Sequence, residues 1–94
     1  MSEIRTVHIR VEGRVQGVGY RAWAENSALA MGLSGWVRNR RDRSVEIVVQ
    51  GPPEAVGDFL SLCWQGPPDA SVSRIEVLGE GVGVYEGFEV RPTA

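Results

Sequence analysis

The residues best suited to chemistry form a glycine-bearing loop that ends on an arginine. The loop reads Gly13-Arg14-Val15-Gln16-Gly17-Val18-Gly19, and Tyr20 and Arg21 follow it. Because it leads from a predicted strand into a predicted helix, its end offers backbone N–H groups without helical partners, and the helix dipole adds partial positive charge there. Glycine lets the backbone bend and approach an anion closely. The pattern therefore predicts an anion cradle of the kind found at many phosphate sites.

The position of Arg21 favours an anion at this loop. A cation in the first helical turn is unfavourable for the helix dipole, so helix stability does not explain the arginine. A bound phosphate would explain it, because a guanidinium group grips two phosphate oxygens at once. The nucleotide-binding patterns G-x-x-x-x-G-K-[ST] and G-x-G-x-x-G are absent from the loop. The residues alone thus leave two interpretations open, a phosphate site or a tight turn beside a surface arginine.

The elements that must position this loop follow from the periodicity of apolar residues. Alternating apolar residues and turn signals predict strands over residues 6–12, 35–39, 44–50, 72–78 and a last short one within 85–91, with a possible bulge in the fourth. Helical spacing predicts one helix from Tyr20 to Met31 and another between Pro53 and Gly66. The order predicts an α+β, ferredoxin-like split βαβ fold (βαββαβ), an antiparallel sheet with two helices on one face and a short extra C-terminal strand.

Two segments of the chain resemble the paired signatures of the acylphosphatase family. The segment from Val11 to Arg21 resembles the first signature, and the segment from Gly35 to Asp42 resembles the second. The resemblance covers nearly the whole chain and implies the same ferredoxin-like fold and hydrolysis of carboxyl phosphates such as acetyl phosphate. It implies that Arg21 binds the phosphate and that Asn39 orients the attacking water. The implied phosphate-binding loop comprises Val15, Gln16, Gly17, Val18, Gly19 and Tyr20.

Two positions depart from the family pattern. Arg43 stands in the turn where the family usually has glycine, and Tyr20 stands where it often has phenylalanine. If the turn requires a positive φ at Arg43, the arginine costs on the order of 1 kcal/mol. The hydroxyl of Tyr20 needs a hydrogen-bond partner if the side chain is buried.

The residue types favour hydrolysis without a metal or a cofactor. His8 is the single histidine, and no set of His, Cys, Asp and Glu residues has metal-ligand spacing. Cys63 lies in an apolar stretch and is expected to be a buried small hydrophobe. An acyl phosphate is already activated because its leaving group is a weak base, so positioning and charge stabilisation are the main requirements. We expect the substrate phosphate to accept the proton of the attacking water.

Composition narrows the partners of the protein. The 94 residues predict one domain over 1–94, and the net charge of −2 is atypical of a nucleic-acid binder. An RNA-binding sheet would alternate aromatic and basic residues, whereas the predicted first and third strands carry valine and isoleucine. No apolar run is long enough to span a bilayer. We therefore expect a cytoplasmic, free-standing monomer whose partners are acyl phosphates and inorganic phosphate, with a non-catalytic acyl-phosphate binder as the alternative.

Overall fold

A computed structural model describes residues 3–81 and 83–94, so Met1, Ser2 and Val82 lie outside the described residues. Within that part, the elements are β1 (Arg5–Arg14), α1 (Tyr20–Ala30), β2 (Ser34–Asn39), β3 (Val45–Gly51), α2 (Pro53–Cys63), β4 (Ser71–Glu80) and β5 (Phe88–Val90). Each predicted helix and strand is present. The bounds differ most for β1 and β4, which are each longer than expected, and for β5, which is shorter.

The strands form one sheet in the order β4-β1-β3-β2-β5. The four longer strands pair antiparallel, as predicted, and β5 pairs parallel with β2. This direction follows from topology: residues 83–87 cross the end of the sheet, where Gly83 and Tyr85 hydrogen-bond to Gln50 of β3 and Gly87 to Gly35 of β2, so β5 runs opposite to β4. The ferredoxin-like fold is thereby confirmed, with a short parallel strand added at one edge.

The predicted bulge in the fourth strand is confirmed. His8 pairs with Gly79 while Ile9 pairs with Val77, so one extra residue of β4 faces β1 at that point. A second register shift lies between Glu12 and Gly13. Such bulges twist an edge strand, and β4 is the outer strand next to β1.

Both helices pack on one face of the sheet and enclose the core. Alternate residues of β1 and β3 point toward the helices and are fully buried: Val7, Ile9, Val11, Val45, Ile47 and Val49. Ala24 and Ala28 of α1 and Val56, Phe59 and Cys63 of α2 complete this core. Burial raises the pKa of the Cys63 thiol to about 12, so the thiol is a packing group, as predicted. This packing fixes the start of α1 at the end of the sheet where β1 and β2 terminate.

The opposite face of the sheet is polar and laced with ion pairs. The carboxylate of Glu46, whose side chain is 4% exposed, accepts hydrogen bonds from Arg38 at 2.7 Å and from His8. Burial alone would raise the pKa of Glu46, but these two hydrogen bonds and the attraction of the neighbouring positive charge together outweigh it, and the pKa lies below its ordinary value. His8 is thus paired with a buried carboxylate on this face. Trp36 is covered by the guanidinium groups of Arg38 and Arg91, 4.8 and 4.9 Å from its ring centroid.

Candidate active site

The loop between β1 and α1 presents its amides at the helix N-terminus. Gly17 and Gly19 have φ values of 75° and 84°, in the left-handed region that favours glycine. Gly19 is the N-cap residue of α1, and no side chain of the described residues caps the helix there. The first-turn N–H groups are therefore available to an external acceptor, because they have no helical partner of their own.

Gln16 ties this loop to the turn between β2 and β3. Its side-chain Nε2 donates to the carbonyl oxygens of Arg40 and Ser44, each at 2.8 Å. The side chain is thus committed to protein partners, and only the backbone N–H of Gln16 remains for the cradle. The clamp sets the distance between the loop that carries Arg21 and the strand end that carries Asn39.

Arg21 is the second residue of α1 and is exposed. The first turn of the helix contains no acidic residue. Among residues 3–81 and 83–94, no carboxylate lies within ion-pair distance of the guanidinium group. An unpaired cation beside uncapped amides concentrates positive charge at one point, which suits an anionic ligand.

Asn39 ends β2 and faces the same region. Its backbone carbonyl accepts a hydrogen bond from the Ala94 N–H at 3.0 Å, which holds the strand end in place. The side-chain Oδ1 is buried and has no hydrogen-bond partner among the described residues. Because an unpaired buried acceptor costs about 1–3 kcal/mol, this oxygen calls for a donor from outside the chain, such as a water molecule.

Arg21 and Asn39 line one open cleft of about 320 Å³. Four residues of the predicted loop line it with them, namely Val15, Gly17, Gly19 and Tyr20. Two residues of that loop, Gln16 and Val18, do not line it. The structure therefore brings Arg21, Asn39 and four loop residues together at one cleft, whereas the side chains of Gln16 and Val18 serve the scaffold.

Three further residues line the cleft that sequence reasoning did not include: Ala22, Glu25 and Val90. Glu25 lies four residues after Arg21 on α1, and this spacing places two side chains on one helix face. That signal was available in the sequence. The position of Val90 depends on the parallel pairing of β5 with β2, for which the sequence carries no local signal.

Tyr20 anchors the start of α1 in the core. The buried hydroxyl donates a hydrogen bond of 2.6 Å to the carbonyl of Cys63 at the end of α2. The expected partner for a buried hydroxyl is therefore present. Burial raises the pKa of Tyr20 far above its ordinary value, so the hydroxyl stays protonated and donates. The contact links the phosphate loop to the second helix.

The turn after Asn39 contains a strained residue. Arg43 has a φ of 75° and is the one non-glycine residue with positive φ among the described residues. Its N–H donates to the carbonyl of Arg40 at 3.1 Å, which closes the turn. The concern raised by an arginine at a glycine position is confirmed, because L-residues other than glycine adopt this conformation at a cost.

Two further observations concern metal ligands and membrane-spanning helices. No group of three or more His, Cys, Asp and Glu side chains that could hold a metal ion occurs in the part of the chain that the structure describes. No helix in that part is long and apolar enough to cross a membrane. The polar groups that the cleft offers to a ligand are the loop amides, the guanidinium group of Arg21, the unpaired side-chain oxygen of Asn39 and the carboxylate of Glu25.

Comparison with known proteins gives this arrangement a family. The family model described as Acylphosphatase matches residues 7–90, which include every residue that lines the cleft. An acylphosphatase from Azorhizobium caulinodans is 52% identical over 89 residues, which cover 94% of this chain and 96% of that protein. An acylphosphatase from Bradyrhizobium diazoefficiens is 54% identical over 93 residues, which cover 93% of this chain and 94% of that protein.

The fold gives the same answer. The solved structure of an acylphosphatase from Coxiella burnetii matches with a TM-score of 0.88 at 35% identity, covering 94% of this chain and 93% of that one. The sequence signatures, the fold and the convergence of the loop with Arg21 and Asn39 all agree. The chain therefore belongs to the acylphosphatase family, a family of enzymes that hydrolyse acyl phosphates.

Proposed function

We propose that this protein cleaves the carboxyl–phosphate bond of acyl phosphates, with the phosphate held by Arg21 and the loop and the water oriented by Asn39. One observation carries the assignment of roles: an unpaired guanidinium group, uncapped helix amides and an orphaned amide oxygen line one cleft. The guanidinium group and the amides lack an acceptor, which the phosphate of an acyl phosphate would supply, and the amide oxygen lacks a donor, which a water molecule would supply.

Phosphate binding comes first in this mechanism. The guanidinium of Arg21 grips two non-bridging oxygens, and the amides from Val15 to Tyr20 surround the remaining charge. Negative charge on the equatorial oxygens is then stabilised by donors that are already in position. Gln16 contributes through its clamp on the turn, which keeps the cradle and Asn39 in register.

Attack by water follows. Asn39 Oδ1 accepts a hydrogen bond from a water molecule and directs the water oxygen at phosphorus. A bond forms between that oxygen and phosphorus while the bond from phosphorus to the carboxyl oxygen breaks. The electron pair leaves with the carboxylate, and the water proton passes to a phosphate oxygen of the substrate. The products are a carboxylate and inorganic phosphate.

The same proposal covers the setting of the reaction. Residues 1–94 act as one domain and as a monomer, without a metal, a cofactor or a nucleic acid. The open face of the sheet supports the last point, because Trp36 lies under two guanidinium groups instead of being free to stack on a base. The proposed location of this reaction is the cytoplasm.

The test is hydrolysis of benzoyl phosphate by the wild type and by Arg21→Ala, each with and without EDTA. Arg41→Ala is the matched control, because Arg41 is also exposed and unpaired and does not line the cleft. We expect EDTA-resistant activity that Arg21→Ala loses and Arg41→Ala keeps. A folded wild type that binds phosphate without turnover would replace the enzyme by a non-catalytic binder, and loss of activity in EDTA would remove the metal-free mechanism.

A further inference from the structure

The ten arginines of the chain divide into two groups. Six of them lie within ion-pair distance of a carboxylate, namely Arg5, Arg10, Arg38, Arg40, Arg74 and Arg91. Within the described residues, the other four have no such partner: Arg14, Arg21, Arg41 and Arg43. All four unpaired arginines lie at the end of β1, the start of α1 or the turn after β2, which meet at one end of the sheet.

Arg14 and Arg43 line a second cleft beside the catalytic one. This cleft of about 620 Å³ is lined by Gly13, Arg14, Val15, Gln16, Gly17 and Arg43. Every lining residue belongs to the described part of the chain, and none is acidic. Two of them, Val15 and Gly17, also line the cleft that contains Arg21. The two clefts are therefore separated by the thickness of one loop.

The backbone positions of the two arginines are tied to each other. Arg14 is the last residue of β1, and Arg43 belongs to the turn that the Gln16 clamp joins to the loop. The nearest carboxylate of the turn, Asp42, is engaged by the N–H and hydroxyl of Ser44 and by the guanidinium of Arg10 at 3.6 Å. Asp42 therefore does not neutralise Arg43, which has no ion-pair partner.

The backbone conformation of Arg43 is unfavourable for a residue other than glycine. Its φ of 75° is one that glycine adopts without strain. A strained non-glycine residue points to a functional constraint where the side chain has something to bind. Here the residue with the strained backbone carries an unpaired guanidinium group at the rim of a cleft, so the expected partner of that group is an anion.

We propose that Arg14 and Arg43 form a second anion-binding subsite, which takes a phosphate or carboxylate group. The group comes either from an acyl phosphate held at Arg21, as a distal anionic substituent of its acyl part, or from free inorganic phosphate. The first source rests on the proposed function, and the second does not. The chemistry is the same for both, because two guanidinium groups offer several N–H donors to a planar or tetrahedral oxyanion.

The first experiment compares two substrates that differ by one distal charge, benzoyl phosphate and 4-carboxybenzoyl phosphate. The measured quantity is the ratio of their kcat/KM values. Arg43→Gly removes the guanidinium group and relieves the strained φ, so the variant folds; Arg14→Gln removes the other charge. We expect each change to lower the ratio about two- to five-fold, the range set by an exposed charge pair. Arg41→Gln, with the same charge change in the same turn but outside the cleft, keeps the wild-type ratio.

The second experiment tests free phosphate. Inorganic phosphate is titrated into Arg21→Ala while the backbone amide NMR shifts are followed, because this variant weakens the catalytic cradle and leaves the second cleft intact. We expect shifts over residues 13–17 and at Arg43 that disappear in the Arg21→Ala, Arg43→Gly double variant.

The outcomes separate the two sources. A lowered substrate ratio assigns the subsite to the acyl group, and phosphate shifts alone assign it to the free anion. An unchanged ratio together with no Arg43-dependent shifts overturns the proposal, as does an equal effect of Arg41→Gln, which would mean long-range attraction only. A wild type that does not hydrolyse benzoyl phosphate refutes the proposed function, while the titration still decides the subsite.

Discussion

Replacing Arg43 by glycine should make the protein more stable. Arg43 holds a φ of 75°, and its side chain is exposed and has no ion-pair partner among the described residues. The substitution therefore removes backbone strain without removing a salt bridge or core packing. The backbone hydrogen bond from its N–H to Arg40 is available to glycine as well.

The size of the effect follows from two opposing contributions. A non-glycine residue in the left-handed region costs about 1–2 kcal/mol, which the substitution recovers. Glycine gives the unfolded chain more conformational freedom, which lowers the stability by about 0.4–1 kcal/mol. The net gain is about 0.5–1 kcal/mol, and for a domain of this size it raises Tm by about 2–8 °C.

Thermal and urea unfolding followed by circular dichroism measure this gain. Arg41→Gly is the matched control, because Arg41 lies in the same turn without a positive φ, so glycine there brings only the unfolded-state penalty. We expect the control to lose about 0.4–1 kcal/mol. If Arg43→Gly is no more stable than the wild type, or if both variants change alike, the strain at Arg43 is not the cause of any difference.

Three further outcomes follow from the same structure. Arg21→Lys should lower kcat/KM on benzoyl phosphate about 100-fold or more, nearly as far as Arg21→Ala, because an ammonium group cannot grip two oxygens; a lysine variant with most of its activity would exclude the two-point contact. Asn39→Ala should lower kcat while phosphate still protects the protein against thermal unfolding, and loss of that protection would make Asn39 a ligand. Glu46→Gln should lower the free energy of unfolding at pH 7 by about 1–3 kcal/mol. Since the pKa of Glu46 is depressed below its ordinary value of 4.5, its stabilisation is present above that pH and is lost as the pH falls through the native pKa, so the variant should show a flatter acid limb in urea titrations. Equal slopes in variant and wild type would contradict that role.

The helices and strands could be predicted from the sequence because each one depends on the spacing of apolar residues within its own segment. The alternation of apolar residues in β1 and β3 indicates which side of each strand faces the helices. The 3.6-residue spacing of apolar residues from Tyr20 onward indicates the buried face of α1. The cradle was predictable for the same reason, since glycines before a helix start are a local signal. The roles of Arg21 and Asn39 needed the family resemblance, because no local rule connects an arginine with an asparagine eighteen positions later.

Features that depend on distant contacts were out of reach. Gln16 hydrogen-bonds to two carbonyl groups that lie 24 and 28 positions later in the sequence. These partners cannot be recognised from the sequence, because they come near Gln16 only once the hairpin has folded. The parallel pairing of β5 brings Val90 to the cleft only after residues 83–87 have crossed the end of the sheet. The orphaned Oδ1 of Asn39 is likewise a property of its packed surroundings, and not of its neighbours in sequence.

The division of the arginines explains how a chain with a net charge of −2 can attract anionic substrates. On the open face of the sheet, arginines and carboxylates pair with one another, so that face contributes little field at a distance. At the loop end the arginines are unpaired, and the N-terminus of α1 adds positive charge in the same place. Because the charges on the open face neutralise one another, the loop end carries the net positive charge of the surface. This positive charge raises the local concentration of anions there. The association of anionic substrates with the protein should therefore weaken as the salt concentration rises. A value of kcat/KM that does not change between low and physiological ionic strength would contradict this account.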